Sequence, residues 1–148
     1  MNRRNDFRFY STIIAKCFTY AREFRIIKSI PRLSDKVMDG MNFDQLKEKA
    51  GRYLNESDIR QIERAYEYAK RAHEGQYRKS GEPYIVHPVE VAGILVDLEM
   101  DATTIIGGLL HDVVEDTAVT LEDIKNEFGE EVASLVDGVT KLRHFEYT

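Results

Sequence analysis

The sequence predicts an all-α domain, and two observations carry that prediction. From Asn42 onward, apolar residues recur every three or four positions in segments of helical length. No segment shows the alternation of apolar and polar residues that is typical of a half-buried strand. With 43% apolar and 32% charged residues among 148, the composition is that of a globular protein large enough to bury a core.

The first two predicted helices each begin at an asparagine. Asn42 can cap a helix that runs to about Leu54, because its side-chain oxygen can accept from a free amide of the first turn. Asn55 can cap the next helix in the same way, and that helix is predicted to end near Gly75. The two helices therefore follow each other almost directly.

A loop and two further helices are predicted in the middle of the chain. Residues 76–83 are polar and include glycine and proline, so they are predicted to form a loop. Pro88 suits the first position of a helix that runs to about Leu98. Asp101 then caps a helix that is predicted to continue without interruption through Glu115.

Two adjacent glycines, Gly107 and Gly108, lie inside the predicted helix that starts after Asp101. A glycine in a helix interior costs about 1 kcal/mol relative to alanine. Tolerating that cost twice in succession suggests that a neighbouring helix approaches closely at this point.

Two more helices are predicted at the end of the chain, a short one followed by a longer one. Thr120 and Asp123 resemble a capping box in which Asp replaces the usual Glu, and Gly129 is predicted to close that helix. A final helix is predicted from Glu130 to Leu142.

Charge divides the chain into two parts. Residues 1–40 carry a net charge of +5 and form a basic N-terminal extension, whereas residues 41–148 carry −10. Three interpretations of the extension stay open: a helix packed on the domain, a basic amphipathic helix on a membrane or partner, or a poorly ordered segment. A body this acidic, without a basic face, is a poor binder of nucleic acid.

Cysteine content and hydropathy bear on where in the cell the protein is expected. The single cysteine, Cys17, permits no internal disulfide, which favours a reducing compartment and predicts a cytoplasmic protein. No apolar run approaches the roughly 18 residues needed to cross a bilayer, so no transmembrane segment is predicted.

The strongest chemical signal is the run HDVVED from His111 to Asp116, together with His87 upstream. On one helix, His111 would stack on Glu115 and Asp112 on Asp116. Asp112 lies among Leu and Val residues, so its ionised carboxylate needs a buried partner. A divalent metal is the preferred interpretation, because imidazole and carboxylate suit Mn²⁺, Fe²⁺ or Zn²⁺, and a buried ion-pair network is the alternative.

The predicted loop supplies a second candidate site. Arg78 and Lys79 provide positive charge in an otherwise acidic domain, and Gly81 would allow the backbone to approach a ligand. Basic surface loops are common, so taken alone this signal also fits an ordinary solvated loop.

Three motifs in succession resemble one known family. They are residues 73–88 (HEGQYRKSGEPYIVHP), 110–117 (LHDVVEDT) and 137–142 (DGVTKL). Together they are similar to the HD-type hydrolase domain of the RelA/SpoT homologues, which control the alarmone (p)ppGpp in the bacterial stringent response. The resemblance covers roughly residues 43–142, so that residues 41–148 are interpreted as a partial HD hydrolase domain, an HD-domain-like helical bundle incomplete at its C-terminus.

The resemblance implies an Mn²⁺-dependent (p)ppGpp 3′-pyrophosphohydrolase, with another divalent metal as the alternative. By position, the residues that match metal ligands are His87, His111 and Asp112. Those that match the acids assigned to the attacking water are Glu115 and Asp116. Those that match the loop holding the guanosine nucleotide are Arg78, Lys79 and Ser80.

The family pattern also includes a further Asp ligand in a Lys-Leu-Ala-Asp-Arg-like motif well downstream, which these 148 residues do not contain. The expectation is therefore that the isolated chain binds metal weakly and turns over slowly or not at all. Two other functions stay open: an HD phosphohydrolase acting on another nucleotide, such as NADPH or a nucleoside monophosphate, and a noncatalytic binding or regulatory module.

Overall fold

A computed structural model describes residues 42–146, so the extension predicted at residues 1–40 lies outside the described residues. The described chain is built from seven helices and contains no strand. They are α1 (Phe43–Ala50), α2 (Glu56–Ala72), α3 (Val86–Asp97), α4 (Ala102–Leu110), α5 (Val113–Asp116), α6 (Leu121–Phe128) and α7 (Glu130–Glu146). The predicted all-α fold is confirmed for the described residues. Within this range, no helix combines the length and apolar character needed to cross a membrane.

Capping side chains begin four of these helices, as the sequence predicts. The side chains of Asn42, Asn55, Asp101 and Thr120 each accept a hydrogen bond from the amide three residues later. Both Asn42 and Thr120 form complete capping boxes, so the predicted box with Asp123 in place of Glu is confirmed.

Several predicted helix boundaries are wrong by a few residues. Helix α2 ends at Ala72 rather than near Gly75, and α7 continues to Glu146 rather than ending at Leu142. Helix α1 ends at Ala50 rather than near Leu54, because the chain tightens at Gly51 into successive turns in which the amides of Arg52 and Tyr53 bond three residues back. Helix α3 starts at Val86, two residues before Pro88. Proline is still compatible with that place, since amides in the first turn need no helical acceptor.

Helix α4 lies at the centre of the fold and packs against α2, α3 and α7. A Cβ added to Gly107 would lie 2.5 Å from Cδ2 of Leu135 on α7, and one added to Gly108 would lie 2.7 Å from Cδ1 of Leu95 on α3. Both leucines are buried. The close helix approach predicted from the glycine pair is therefore confirmed, and it occurs on two sides of α4 at once.

The prediction of one continuous helix through Glu115 is wrong. Helix α4 ends at Leu110, and the short α5 begins only at Val113. The reason lies in the imidazole of His111, whose Nδ1 lies 2.5 Å from the carbonyl oxygen of Gly108. In a continuous helix, that carbonyl would accept from the amide of Asp112. A side chain that competes for a helix carbonyl loosens the helix at that turn.

The predicted loop is folded into a small hairpin. The amide of Tyr84 donates to the carbonyl of Gln76 (3.0 Å), and the amide of Arg78 donates to that of Glu82 (2.9 Å). Gly81 completes the tip with a φ of 89°, a conformation that favours glycine. The hairpin leads directly into α3 and brings its base against the α4–α5 junction, through the side-chain contacts described next.

Candidate metal centre

Two histidines and one aspartate converge at the start of α3 and the end of α4. His87 is the second residue of α3, while His111 and Asp112 connect α4 to α5. Oδ2 of Asp112 lies 3.0 Å from Nε2 of His111 and 3.5 Å from Nε2 of His87. All three residues are buried, and each offers a donor atom within 4.8 Å of the others.

The orientation of the His111 ring shows what this cluster requires. The carbonyl of Gly108 can only accept, so the neighbouring Nδ1 of His111 must carry the proton. In the neutral ring, Nε2 then presents a lone pair to the carboxylate oxygen of Asp112 at 3.0 Å. Two electron-rich atoms this close repel each other unless a second ring proton or a cation compensates.

The carboxyl group of Asp112 is held in its charged form. Burial by itself would raise the pKa of Asp112, but the adjacent His111, then His87 and the hydrogen bond from Tyr84, lower it well below its ordinary value. A buried carboxylate is costly unless its charge is compensated, and here either protonated imidazoles or a metal ion between the three side chains would compensate it.

The donor set and its spacing fit a divalent metal ion. Two ligand atoms that are each about 2.1 Å from one ion lie roughly 3.0–3.5 Å apart. The distances from Asp112 Oδ2 to the two imidazole nitrogens, 3.0 and 3.5 Å, agree with that spacing. Hydrogen bonding of His111 Nδ1 to a main-chain carbonyl is also the usual way in which a metal-binding imidazole is oriented.

Tyr84 ties the cluster to the acidic residues of α5. Its hydroxyl lies 2.9 Å from Oδ2 of Asp112 and 2.9 Å from Oδ2 of Asp116. Burial, followed by the charge of Asp112, raises the pKa of the Tyr84 hydroxyl far above its ordinary value. The phenol therefore stays protonated, and its single hydrogen can be donated to either of the two carboxylates.

The other predicted site residues are on helix α5 and at the tip of the hairpin. Asp116 is exposed but contacts it through Tyr84, and Glu115 is exposed on the same short helix α5. At the hairpin tip Arg78 is half-buried, and Lys79 and Ser80 are exposed. The hairpin contacts the cluster and α5 through its base, at Tyr84 and Gln76, rather than through these three residues.

Three residues at this site received no role from the sequence: Tyr84, His73 and Gln76. The amide nitrogen of Gln76 donates to the main-chain carbonyl of Asp116 (2.7 Å), and its oxygen lies 3.0 Å from Nδ1 of His73. Helical spacing could have identified His73 as buried, because it continues the inner face of Ile62, Ala65 and Ala69. The parts played by Tyr84 and Gln76 depend on hairpin pairing, for which the sequence gives no periodic signal.

The fold and this cluster define a helical domain of the HD type, and sequence comparison agrees. The family model described as "HD domain" matches residues 65–148. The chain therefore belongs to the HD-domain family. His111 and Asp112 form an adjacent His-Asp pair within the matched residues.

Individual relatives make the comparison more specific. A GTP pyrophosphokinase of Myxococcus xanthus is 50% identical over 111 residues, which are 72% of this chain and 15% of that protein. A guanosine-3′,5′-bis(diphosphate) 3′-pyrophosphohydrolase of Vibrio cholerae is 51% identical over 105 residues, 71% of this chain and 15% of that protein. The bifunctional (p)ppGpp synthase/hydrolase SpoT of Escherichia coli K12 is 48% identical over 105 residues, with the same coverage.

The resemblance to the RelA/SpoT homologues that the motifs predict is thus confirmed. The chain spans about 15% of the length of these relatives.

Proposed function

We propose that this chain contributes the hydrolytic centre of a guanosine-3′,5′-bis(diphosphate) 3′-pyrophosphohydrolase. The reaction releases pyrophosphate from (p)ppGpp and leaves GDP or GTP. The observation that carries the proposal is the convergence of two imidazole nitrogens on Oδ2 of the fully buried Asp112. Relatives at 48–51% identity are named for this hydrolysis, which supports the choice of substrate.

In this proposal His87, His111 and Asp112 hold Mn²⁺. These are the three described side chains whose donor atoms converge, and imidazole with carboxylate is a donor set that suits such an ion. When bound, such a cation would supply the Lewis acidity that makes a water nucleophile available near neutral pH. Burial of the ligand set keeps bulk water from competing with the ligands, and the Gly108 carbonyl keeps His111 Nε2 directed at the site.

Glu115 and Asp116 are proposed to orient the attacking water and take its proton. Both are on α5, directly after the ligands, and the Asp116 carboxylate is connected to Asp112 through the Tyr84 hydroxyl. A general base has to lie within hydrogen-bond reach of the water it activates, and this short connection supports that placement.

Arg78, Lys79 and Ser80 are proposed to hold the nucleotide. Among residues 42–146, the side chains of Arg78 and Lys79 form no ion pair, so their charge is available to phosphate groups. The guanidinium of Arg78 can also stack on a base, and the Ser80 hydroxyl can donate to an oxygen. A cytoplasmic location stays a prediction from the single cysteine.

The proposal is tested by titrating the chain with Mn²⁺ in a calorimeter and by incubating it with labelled ppGpp. The expected result is saturable Mn²⁺ binding, with pyrophosphate and GDP as the products of any turnover. Asp112→Asn should strongly weaken Mn²⁺ binding and stop any turnover, while the matched control Asp97→Asn, on the exposed end of α3, should change neither.

A substrate panel separates the alternatives. Release of phosphate from NADPH or a nucleoside monophosphate, without release of pyrophosphate from ppGpp, would favour another HD phosphohydrolase. Nucleotide binding without turnover at saturating Mn²⁺ would favour a noncatalytic module. Absence of Mn²⁺ binding in the folded chain would contradict the proposed centre and leave the buried ion-pair network.

A further inference from the structure

His73 is a buried histidine that the proposed reaction does not use. It follows the last residue of α2, with only 3% of its surface exposed. Its Nδ1 lies 3.0 Å from Oε1 of Gln76, while its Nε2 is buried without a hydrogen-bond partner among the described residues. A buried polar atom without a partner costs stability, so a role other than stability is worth seeking here.

The hydrogen bonds around Gln76 run in one direction. The carbonyl of Asp116 can only accept, so the amide nitrogen of Gln76 must face it, at 2.7 Å. The amide oxygen of Gln76 then faces His73 and accepts from Nδ1–H. His73 therefore donates to Gln76, and Gln76 donates to the main-chain carbonyl of Asp116. These two hydrogen bonds connect the end of α2 to the end of α5.

A second contact connects His73 to the same place. Its ring packs on that of Tyr84, with 4.6 Å between centroids, and the Tyr84 hydroxyl lies 2.9 Å from both Asp112 and Asp116. Gln76 and Tyr84 are paired across the hairpin base by a main-chain hydrogen bond of 3.0 Å. His73 thus supports both sides of the hairpin base, and each side holds Asp116.

We propose that His73 and Gln76 are positioning residues that fix Asp116 relative to the metal ligand Asp112. The proposal rests on the proposed function, in which Asp116 serves the attacking water. A purely structural role makes a different prediction. If His73 served only the core, replacing it should lower the melting temperature without singling out Asp116, whereas a positioning role predicts faster exchange confined to Asp116 and Thr117.

Two variants test the inference first without metal. His73→Phe keeps the ring against Tyr84 but removes the donor to Gln76, and Gln76→Glu keeps the shape but cannot donate to the Asp116 carbonyl. Amide hydrogen exchange, resolved by NMR, should accelerate about fivefold at Asp116 and Thr117. Loss of one hydrogen bond makes local opening of the backbone easier by about that factor. The amides of α4 should be unchanged.

Matched controls are available elsewhere on α2. Gln61→Glu makes the same chemical change at an exposed position, and Tyr66→Phe removes a hydroxyl away from the cluster, where its ring stacks on Phe43. Neither should change exchange at Asp116. Unchanged exchange at Asp116 in both His73→Phe and Gln76→Glu would overturn the inference, whatever the metal does.

A second arm uses Mn²⁺ and (p)ppGpp. Because the ligands are untouched, both variants should bind Mn²⁺ with unchanged affinity, while kcat should fall about 10- to 100-fold with KM unchanged, as for misplaced supporting groups. A fall in Mn²⁺ affinity equal to the fall in kcat would contradict a role confined to Asp116. If wild type binds no Mn²⁺, the proposed function fails, and the metal-free exchange result still decides this inference.

Discussion

The two halves of the buried stretch at the end of α4 follow opposite rules. Gly107 and Gly108, the glycine turn, have no side chain, and leucines from α7 and α3 fill the space. His111 and Asp112, the polar junction, lie one turn further on, equally buried but occupied by an imidazole and a carboxylate. In the glycine turn, shape decides which residues are allowed. At the polar junction, donors and acceptors decide.

The two halves are also connected. The carbonyl of Gly108 lies against Nδ1 of His111, so the position of α4 between its neighbours sets the direction of the imidazole. Tight packing of α4, which is almost entirely apolar, therefore orients the imidazole of His111. Substitutions in the glycine turn should therefore change the stability of the domain, whereas substitutions at the polar junction should change metal binding.

The largest effect is expected for Asp112→Asn at the polar junction. Loss of the carboxylate should weaken Mn²⁺ binding by more than the roughly 10- to 100-fold typical of a supporting residue, because Asp112 is a proposed ligand. The free energy of unfolding should change by only about 1 kcal/mol, since the new amide can donate to the lone pair of His111 Nε2. Calorimetry and urea denaturation measure the two quantities. Unchanged Mn²⁺ affinity would contradict the prediction.

The glycine turn should show the reverse. Gly107→Val places branched carbons where a Cβ would already lie 2.5 Å from Leu135. Overpacking of this kind costs about 1–3 kcal/mol, which urea denaturation would detect. Variants that still fold should retain the ligand set and bind Mn²⁺. Wild-type stability in Gly107→Val would mean that α4 and α7 are not closely packed.

A smaller effect is expected at the opposite end of α4, where a polar contact serves structure alone. The Tyr53 hydroxyl donates to the carbonyl of Met100 at 2.8 Å. Burial, followed by the charges of Glu99 and Asp101, raises the pKa of Tyr53 to about 12. Tyr53→Phe should lower the free energy of unfolding by about 1 kcal/mol near neutral pH.

The pH dependence of that difference has a definite sign. Because the folded-state pKa of Tyr53 is raised, its contribution is fully present below the ordinary value of 10 and is lost as the pH rises through about 12. The gap between wild type and Tyr53→Phe, measured by urea denaturation, should therefore narrow across this range. A gap that widens there would show that the phenol is not held protonated by the fold.

How far the sequence could predict this molecule differs between the same two halves. Caps at Asn42, Asn55, Asp101 and Thr120, and close packing at the glycine turn, follow from local rules and are confirmed. The helix predicted through Glu115 is broken because a side chain, His111, takes up a helix carbonyl, which periodicity does not register.

The candidate site was predicted in part. The sequence motifs identified His87, His111 and Asp112 as candidate metal ligands, and their donor atoms lie close together in the structure. Tyr84 and Gln76 could not be assigned, because their contacts with Asp112 and Asp116 arise only when the hairpin folds back on α5. Polar networks of this kind depend on distances between segments far apart in the chain, whereas capping depends on neighbours.

The most direct test of the central claim is an anomalous diffraction map from crystals of the chain grown with Mn²⁺. The account predicts one strong peak roughly 2.0–2.3 Å from Nε2 of His87, Nε2 of His111 and Oδ2 of Asp112. A well-ordered site with no peak, in which a ring proton of His111 bridges to Asp112, would contradict it.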